Sequence, residues 1–144
     1  MTAHDPVTRA LPGDIRMRPL TEAQEGLWYA QALDPANPIL NTGQYLDLRG
    51  PLDRAALLQA LAQTIAESEA LHLRFQTGPD GPRQWLSDQG ITPATVDLRG
   101  HPGAEAEAEA LARMQADSNR PLDLSRDPVA AFTLFILSDD RHLL

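Results

Sequence analysis

The chain has 144 residues, of which 42% are hydrophobic, 22% charged and 5% aromatic, and its formal net charge is -8. This composition is typical of one globular folding unit and not of a disordered tail. The acidic excess opposes binding to nucleic acid or to an anionic membrane surface, and no apolar run approaches the roughly 20 residues of a membrane span. Because there is no cysteine, disulfides and thiolate-bound zinc are excluded and a cytoplasmic protein is favoured.

The chain begins with a predicted flexible leader followed by a helix. Residues 1–19 combine prolines with scattered charges and show no period, so we expect order to begin directly after them. Thr21 with Gln24 three residues later fits a capping box, and apolar side chains at helical spacing predict a helix over residues 21–33. Gly26 inside this helix costs roughly 1 kcal/mol relative to alanine, which indicates that a neighbour packs closely there.

The middle of the chain alternates between the two periods of regular structure. Alternation of apolar and polar residues predicts strands, whereas a stripe of leucines beginning at Leu57 predicts an amphipathic helix capped by Asp53. A Gly-Pro-Asp-Gly turn at residues 78–81 predicts a hairpin. The predicted elements are a strand over residues 45–49 with Leu46 and Leu48 on its buried face, a helix over 53–68, and a hairpin of 71–76 with 84–86.

The last part of the chain predicts a strand, a helix and a hairpin. Glutamates at 105, 107 and 109 lie where the helix dipole favours anions, and Glu109 is spaced to pair with Arg113. We interpret this Ala-Glu run as a solvated helix start and not as a metal site. The predicted elements are a strand over residues 96–99, a helix over 104–118, a strand over 131–137 and a return strand over 141–144.

This order of elements predicts an α/β fold. We expect a β-sheet that contains residues 45–49, 71–76 and 131–137 and is packed by about three helices. The return strand has barely begun at the apolar pair Leu143 and Leu144, so we expect the chain to be the front part of a larger domain.

The residues alone indicate no common enzyme class. The sequence has no Gly-x-Ser-x-Gly elbow, no phosphate-binding glycine loop and no His-Glu-x-x-His motif. The histidines lack metal-ligand spacing and are interpreted as solvated or packed side chains. They are His4, His72, His101 and His142.

Several short segments, taken in order, resemble a known family. Residues 20–28 read LTEAQEGLW, residues 46–53 read LDLRGPLD, residues 69–75 read EALHLRF and residues 120–124 read RPLDL. This ordered set resembles the condensation domains of nonribosomal peptide synthetases, of the chloramphenicol-acetyltransferase-like superfamily. The spelling of the first and third segments is similar to that in siderophore synthetases.

The resemblance implies a fold, an activity and partners. Residues 20–144 would be an incomplete N-terminal lobe of the chloramphenicol-acetyltransferase-like fold. The parent domain would form an amide between a carrier-bound acyl or aminoacyl thioester and a carrier-bound aminoacyl acceptor. Both substrates would arrive on phosphopantetheine arms of donor and acceptor carrier proteins, with an adenylation domain downstream and no directly bound cofactor. Alternatives are a stand-alone acyltransferase of the same fold and a non-catalytic domain that docks carrier proteins.

The resemblance also implies that the catalytic motif lies outside this chain. In the family, a His-His-x-x-x-Asp-Gly motif follows the last predicted hairpin within about ten residues, and the second histidine is thought to manage the proton of the acceptor amine. No such motif occurs in this sequence. We therefore expect no catalytic residue here and no activity of this chain by itself.

Three residues are expected to support that active site, and a fourth, aromatic residue is expected in the core. An arginine that in the family lies near the aspartate of the catalytic motif falls at His72 here, and an imidazole pairs with a carboxylate less firmly than a guanidinium does. Arg74 is predicted on the same strand face and is a candidate substitute. Glu69 matches an acid of the motif and is expected to be a buried or capping group, and Trp28 is expected in the core.

Overall fold

The computed structural model describes residues 16–144, so most of the predicted leader lies outside the described residues. Two short 3-10 helices, Pro38–Leu40 and Glu69–His72, interrupt the connections. The regular elements in chain order are β1 (Arg18–Pro19), α1 (Glu22–Leu33), β2 (Asp47–Arg49), α2 (Arg54–Glu67), β3 (Leu73–Gly78), β4 (Gly81–Leu86), β5 (Ala94–Asp97), α3 (Gly103–Ser118), β6 (Thr133–Ser138) and β7 (Arg141–Leu143).

The strands form two sheets and not the single sheet that we expected. One sheet has the order β1-β4-β3 and is antiparallel, and the other has the order β2-β7-β6-β5, with β5 parallel to β6. The expectation fails because β3 satisfies its backbone with the neighbouring hairpin strand, from Leu73 opposite Leu86 to Gly78 opposite Gly81. Gly81 has a φ of +108°, which a side chain would strain. The mixed α/β class is confirmed.

The hydrophobic core lies between α3 and the four-stranded sheet. Ala106 and Ala110 are fully buried on the inner face of α3, and their small side chains let the helix approach the sheet closely. They pack with Leu98, Phe135, Leu137 and Leu143. Among residues 16–144, no helix is long and apolar enough to cross a membrane.

The first helix confirms its predicted start but not its predicted packing. The Thr21 hydroxyl accepts from the Gln24 backbone N–H, and the Gln24 side chain accepts from the Thr21 backbone N–H. Among residues 16–144, however, α1 has no buried residue, and a Cβ at Gly26 would meet no atom within 4 Å. The expectation of a close neighbour at Gly26 is therefore wrong. Order also begins earlier than expected, since Arg18 pairs with Gln84 in the small sheet.

The second helix confirms its cap, but the strand that precedes it is shorter than predicted. The Asp53 carboxylate accepts from the Ala56 backbone N–H at 3.0 Å, and Ile65 anchors the helix with an exposure of 2%. The predicted strand at residues 45–49 begins only at Asp47. Leu46 was predicted on the buried face but is exposed, and it lies just before the first residue of β2.

Candidate functional site

The three residues expected to support the active site do not form one cluster. His72 ends the 3-10 helix Glu69–His72, whereas Arg74 lies inside β3. The predicted placement of both on one strand face is therefore wrong, because the chain leaves the helical turn only at Leu73.

His72 is engaged with the end of α2. Its Nε2 atom lies 3.0 Å from the carbonyl oxygen of Ile65, in the last turn of that helix. The same carbonyl oxygen accepts from the Ser68 backbone N–H at 3.2 Å, so the imidazole is a second donor at this helix C-terminus. This contact supports a packing role for His72.

Glu69 is exposed and is not the buried or capping group that we expected. It lines a shallow cleft of about 290 Å³ with His72, Ser87 and Asp88 among its neighbours. Among residues 16–144, no group of three or more histidine, aspartate or glutamate side chains could hold a metal ion. The cleft therefore brings Glu69 and His72 together without forming a metal site from described residues.

Arg74 is the most deeply placed charged side chain of the small sheet. It is 2% exposed and lies opposite Trp85 on β4. Its Nη1 donates to the Leu73 carbonyl oxygen at 2.9 Å, but its Nη2 is buried with no hydrogen-bond partner among residues 16–144. A guanidinium taken out of water needs a partner to offset its lost hydration, so Arg74 is suited to receive an anionic or carbonyl acceptor.

A second cleft lies beside α1 and the edge of β3. Its volume is about 670 Å³, and its walls include Trp28, Phe75, Leu122 and Leu124. The rings of Trp28 and Phe75 are 6.4 Å apart and tilted by 38°. Trp28 thus packs on the sheet, as expected, but it is half-buried at a cleft wall and not enclosed in the core.

His142 is a buried residue that sequence reasoning did not single out. It lies on β7, is 1% exposed, and neither ring nitrogen has a hydrogen-bond partner among the described residues. Burial lowers the pKa of the imidazole, and the positive charges of Arg54 and Arg99 lower it further. Both effects favour the neutral form of this core side chain. Its position after a turn in an apolar strand was the available signal.

The Ala-Glu run of α3 is only partly solvated. Glu109 pairs with Arg113 at 2.7 Å, which confirms the predicted pair. Glu107 was expected to be solvated but bonds Arg141 on β7 through both carboxylate oxygens, and this arginine lowers the Glu107 pKa. The spacing contained a signal for this difference, since Glu107 is three residues from buried Ala110 and so lies near the inner face.

Comparison with known proteins gives a consistent assignment. A family model described as Condensation domain matches residues 15–144. The dimodular nonribosomal peptide synthase of Bacillus subtilis (strain 168) is 41% identical over 123 residues, which are 85% of this chain and 5% of that protein. Enterobactin synthase component F of Escherichia coli (strain K12) is 31% identical over 127 residues, 85% of this chain and 10% of that protein.

Solved structures show the same likeness in three dimensions. A variant of the starter condensation domain of rhizomide synthetase RzmA, in complex with C8-CoA, aligns with a TM-score of 0.81 and 31% identity over 88% of this chain and 29% of that chain. The first condensation domain of the calcium-dependent antibiotic synthetase, in complex with substrate analogue 2a, aligns with a TM-score of 0.77 and 36% identity. That alignment covers 89% of this chain and 31% of that structure. The chain thus spans less than a third of the solved chains that it matches.

Proposed function

This chain belongs to the condensation-domain family, and we propose on that basis that it supplies part of the N-terminal lobe of an enzyme that forms amide bonds in nonribosomal peptide synthesis. The observation that carries the proposal is the match to the family model over residues 15–144, which include every described residue. The mixed α/β fold, with its chloramphenicol-acetyltransferase-like relatives, is consistent with it.

The proposed reaction is attack of an amine on a thioester. The acceptor amine forms a C–N bond to the thioester carbonyl carbon, the C–S bond breaks, and the donor thiol leaves on its phosphopantetheine arm. The amine must lose a proton, which needs a group placed within hydrogen-bond reach. We propose that the substrates arrive on donor and acceptor carrier proteins and that an adenylation domain of the same cytoplasmic synthetase loads the acceptor. The enterobactin synthase relative supports a siderophore-type synthetase.

Within this reaction, we propose Arg74 as the positioning residue of the described lobe. The support is the burial of its guanidinium together with an Nη2 atom that lacks a partner among residues 16–144. The aspartate that follows the histidines of the family motif would supply the missing acceptor, and a guanidinium-carboxylate pair would hold the motif in shape. His72 is not proposed for this role, because its Nε2 is occupied at the end of α2.

The test uses a protein that extends this chain through the His-His motif and the second lobe. It is mixed with donor-loaded and acceptor-loaded carrier proteins, and mass spectrometry of the acceptor carrier reports the product as a gain in mass. We expect a gain equal to the donor acyl group. Absence of any gain would contradict amide formation, and transfer to a free hydroxyl acceptor instead would identify a stand-alone acyltransferase.

Variants of the same protein test Arg74 separately. Arg74→Met leaves the carboxylate partner without its guanidinium, so we expect kcat to fall at least about tenfold, the loss that corresponds to roughly 1.4 kcal/mol. Arg74→Lys should recover part of that loss, since a lysine keeps the charge without the planar fork. The matched control is Arg83→Met on the neighbouring strand, where the side chain is partly exposed and 3.9 Å from Asp80. Equal activity of the Met variants would contradict the role of Arg74.

A further inference from the structure

Three elements of the large sheet layer are joined by one charged side chain. Arg141, the first residue of β7, donates from Nη1 and Nη2 to the two carboxylate oxygens of Glu107 on α3, at 2.8 and 2.9 Å. The same Nη2 donates to the Asp47 carboxylate on β2 at 3.1 Å. Arg49 completes the set by donating to Asp47 at 2.8 Å. We refer to Glu107, Arg141 and Asp47 as the β7 clamp.

The strand that carries Arg141 has an irregular register. Ser138 lies opposite Arg141, but Ile136 lies opposite His142, so β6 contains one extra residue, Leu137, between these pairs. This arrangement is a β-bulge. The hairpin turns at Asp139 and Asp140, and beyond the bulge the pairing of β6 with β7 is shifted by one residue.

Without the bulge, the same turn would continue into a different pairing. Leu137 would then face His142, and Ile136 would face Leu143. Because residues directly opposite each other share a face of the sheet, this slip would turn all of β7 over. Arg141 would point away from α3 and lose Glu107, and Leu143 would leave the core beneath the helix.

Burial of apolar side chains does not distinguish the observed register from the shifted one. Leu143 is buried beneath α3 in the observed register, and Leu144 follows on the opposite face. After a slip, Leu144 would take the α3 face in place of Leu143. His142 is buried in either case, since both faces of this strand are covered near its centre. The apolar pattern of Arg-His-Leu-Leu is therefore compatible with both faces, and register is weakly specified by such a pattern.

The β7 clamp distinguishes the two registers, because its charged side chains lie on the face of the sheet that is covered by α3. Asp47 and Leu143 are opposite each other, as are Arg49 and Arg141, so all four side chains lie on the side of α3. The pKa of Asp47 is lowered to about 2 by its bonds to Arg141 and Arg49, which keeps this carboxylate charged at all physiological pH values. A network of charges with two-point geometry is more effective than an isolated surface pair.

We infer that the β7 clamp fixes the register of the β6–β7 hairpin, and that Arg141 is a positioning residue for the chain that follows β7. The second half of this inference depends on the proposed function, in which the catalytic motif follows this strand. A strand that is turned over would present the next side chains to the wrong face of the sheet. The first half concerns only this chain and stands independently.

The register itself is tested by NMR on the 144-residue chain. In the native chain we expect cross-strand nuclear Overhauser effects between backbone protons of Ile136 and His142. Arg141→Gln should produce a second set of signals, with Leu137 against His142, in at least about a tenth of the molecules. In Glu107→Gln, Arg141 keeps its hydrogen bonds to Asp47. We therefore expect a smaller population of molecules in the shifted register than in Arg141→Gln. Glu107→Gln also keeps the test decisive if the first variant does not fold.

The matched control is Arg113→Gln, which removes an ion pair within α3. A single native register in both clamp variants, equal to that of Arg113→Gln, would overturn the inference. In the extended synthetase, Arg141→Gln should lower kcat at least about tenfold with KM for the carriers unchanged, and Arg141→Lys should restore part of kcat. A second register without any loss of kcat would overturn the positioning role and leave the register assignment standing.

Discussion

At the scale of single residues, two buried polar side chains differ in what they need. Arg74 and His142 are 2% and 1% exposed. Among the described residues, Arg74 Nη2 and both ring nitrogens of His142 have no hydrogen-bond partner. A guanidinium keeps its charge at any pH at which proteins fold, so Arg74 needs an acceptor. An imidazole can give up its proton, so His142 can be accommodated by becoming neutral.

His142 predicts an acid-sensitive fold. Its folded-state pKa lies below the ordinary 6.5 because of burial and of Arg54 and Arg99, a shift that Asp139 and Asp140 only partly oppose. As the pH falls, His142 therefore binds a proton more readily in the unfolded chain than in the folded chain. Stability due to the neutral imidazole is fully present above pH 6.5 and is lost as the pH falls below it, with a slope of at most about 1.4 kcal/mol per pH unit.

Urea unfolding at several pH values between 7.5 and 5 measures how the free energy of unfolding changes with pH. We expect His142→Leu to flatten this slope and His101→Leu, an exposed control, to leave it unchanged. The window avoids the carboxylates of Asp47 and Asp97, whose pKa values are lowered to about 2 by their arginine partners and which lose their contribution only in stronger acid. An unchanged slope in His142→Leu would show that another group titrates.

At the scale of elements, α1 is held differently from α3. α3 buries two alanines against the sheet, whereas α1 is fixed by its capping box, by the tilted contact of Trp28 with Phe75 and by hydrogen bonds between Gln24 and Gln84. Leu27 and Leu33 on α1 are 60% and 88% exposed. Because α1 buries no residue within the described part of the chain, we expect its stability to respond directly to changes in local helix propensity.

Gly26 offers a direct test of this difference. Because a Cβ there meets no atom within 4 Å, Gly26→Ala should stabilise the helix by roughly 0.5–1 kcal/mol through reduced freedom of the unfolded chain. Amide hydrogen exchange in α1 should slow by a few fold. Gly81→Ala is the matched comparison, since its φ of +108° makes the same substitution destabilising. A loss of stability in Gly26→Ala would show that a neighbour does occupy the helix face.

At the scale of the whole molecule, we expect the described residues to form a scaffold without a catalytic centre. The sequence contains no His-His pair. His72 is bonded to α2, and His142 is buried without a hydrogen-bond partner among residues 16–144. Amide formation needs the amine, the thioester and a proton acceptor held together. We expect that the described residues alone do not bring such a set together.

We therefore expect the 144-residue chain to form no amide when it is mixed with loaded donor and acceptor carrier proteins. The measurement is the mass of the acceptor carrier, with carriers alone as the background and the extended protein as the positive control. A gain above background with the 144-residue chain would show that some side chain of this lobe is sufficient for condensation.

The amino-acid sequence by itself determined the local elements and the family. Caps at Thr21 and Asp53, the Gly-Pro-Asp-Gly turn and the apolar run of β6 act between residues close in the chain, so their energies are readable from spacing. The ordered segments that resemble condensation domains were likewise contiguous. The family assignment followed from them and was confirmed.

Only the tertiary structure decided how those elements are combined. The division into two sheets, the open face of Gly26, the unpaired Nη2 of Arg74 and the clamp between Glu107 and Arg141 all depend on residues distant in sequence. Strand periodicity states which residues share a face but not which strands become neighbours. Whether a buried charge finds a partner depends on that choice, because hydrogen bonds and ion pairs act over a few ångströms in space and not along the chain.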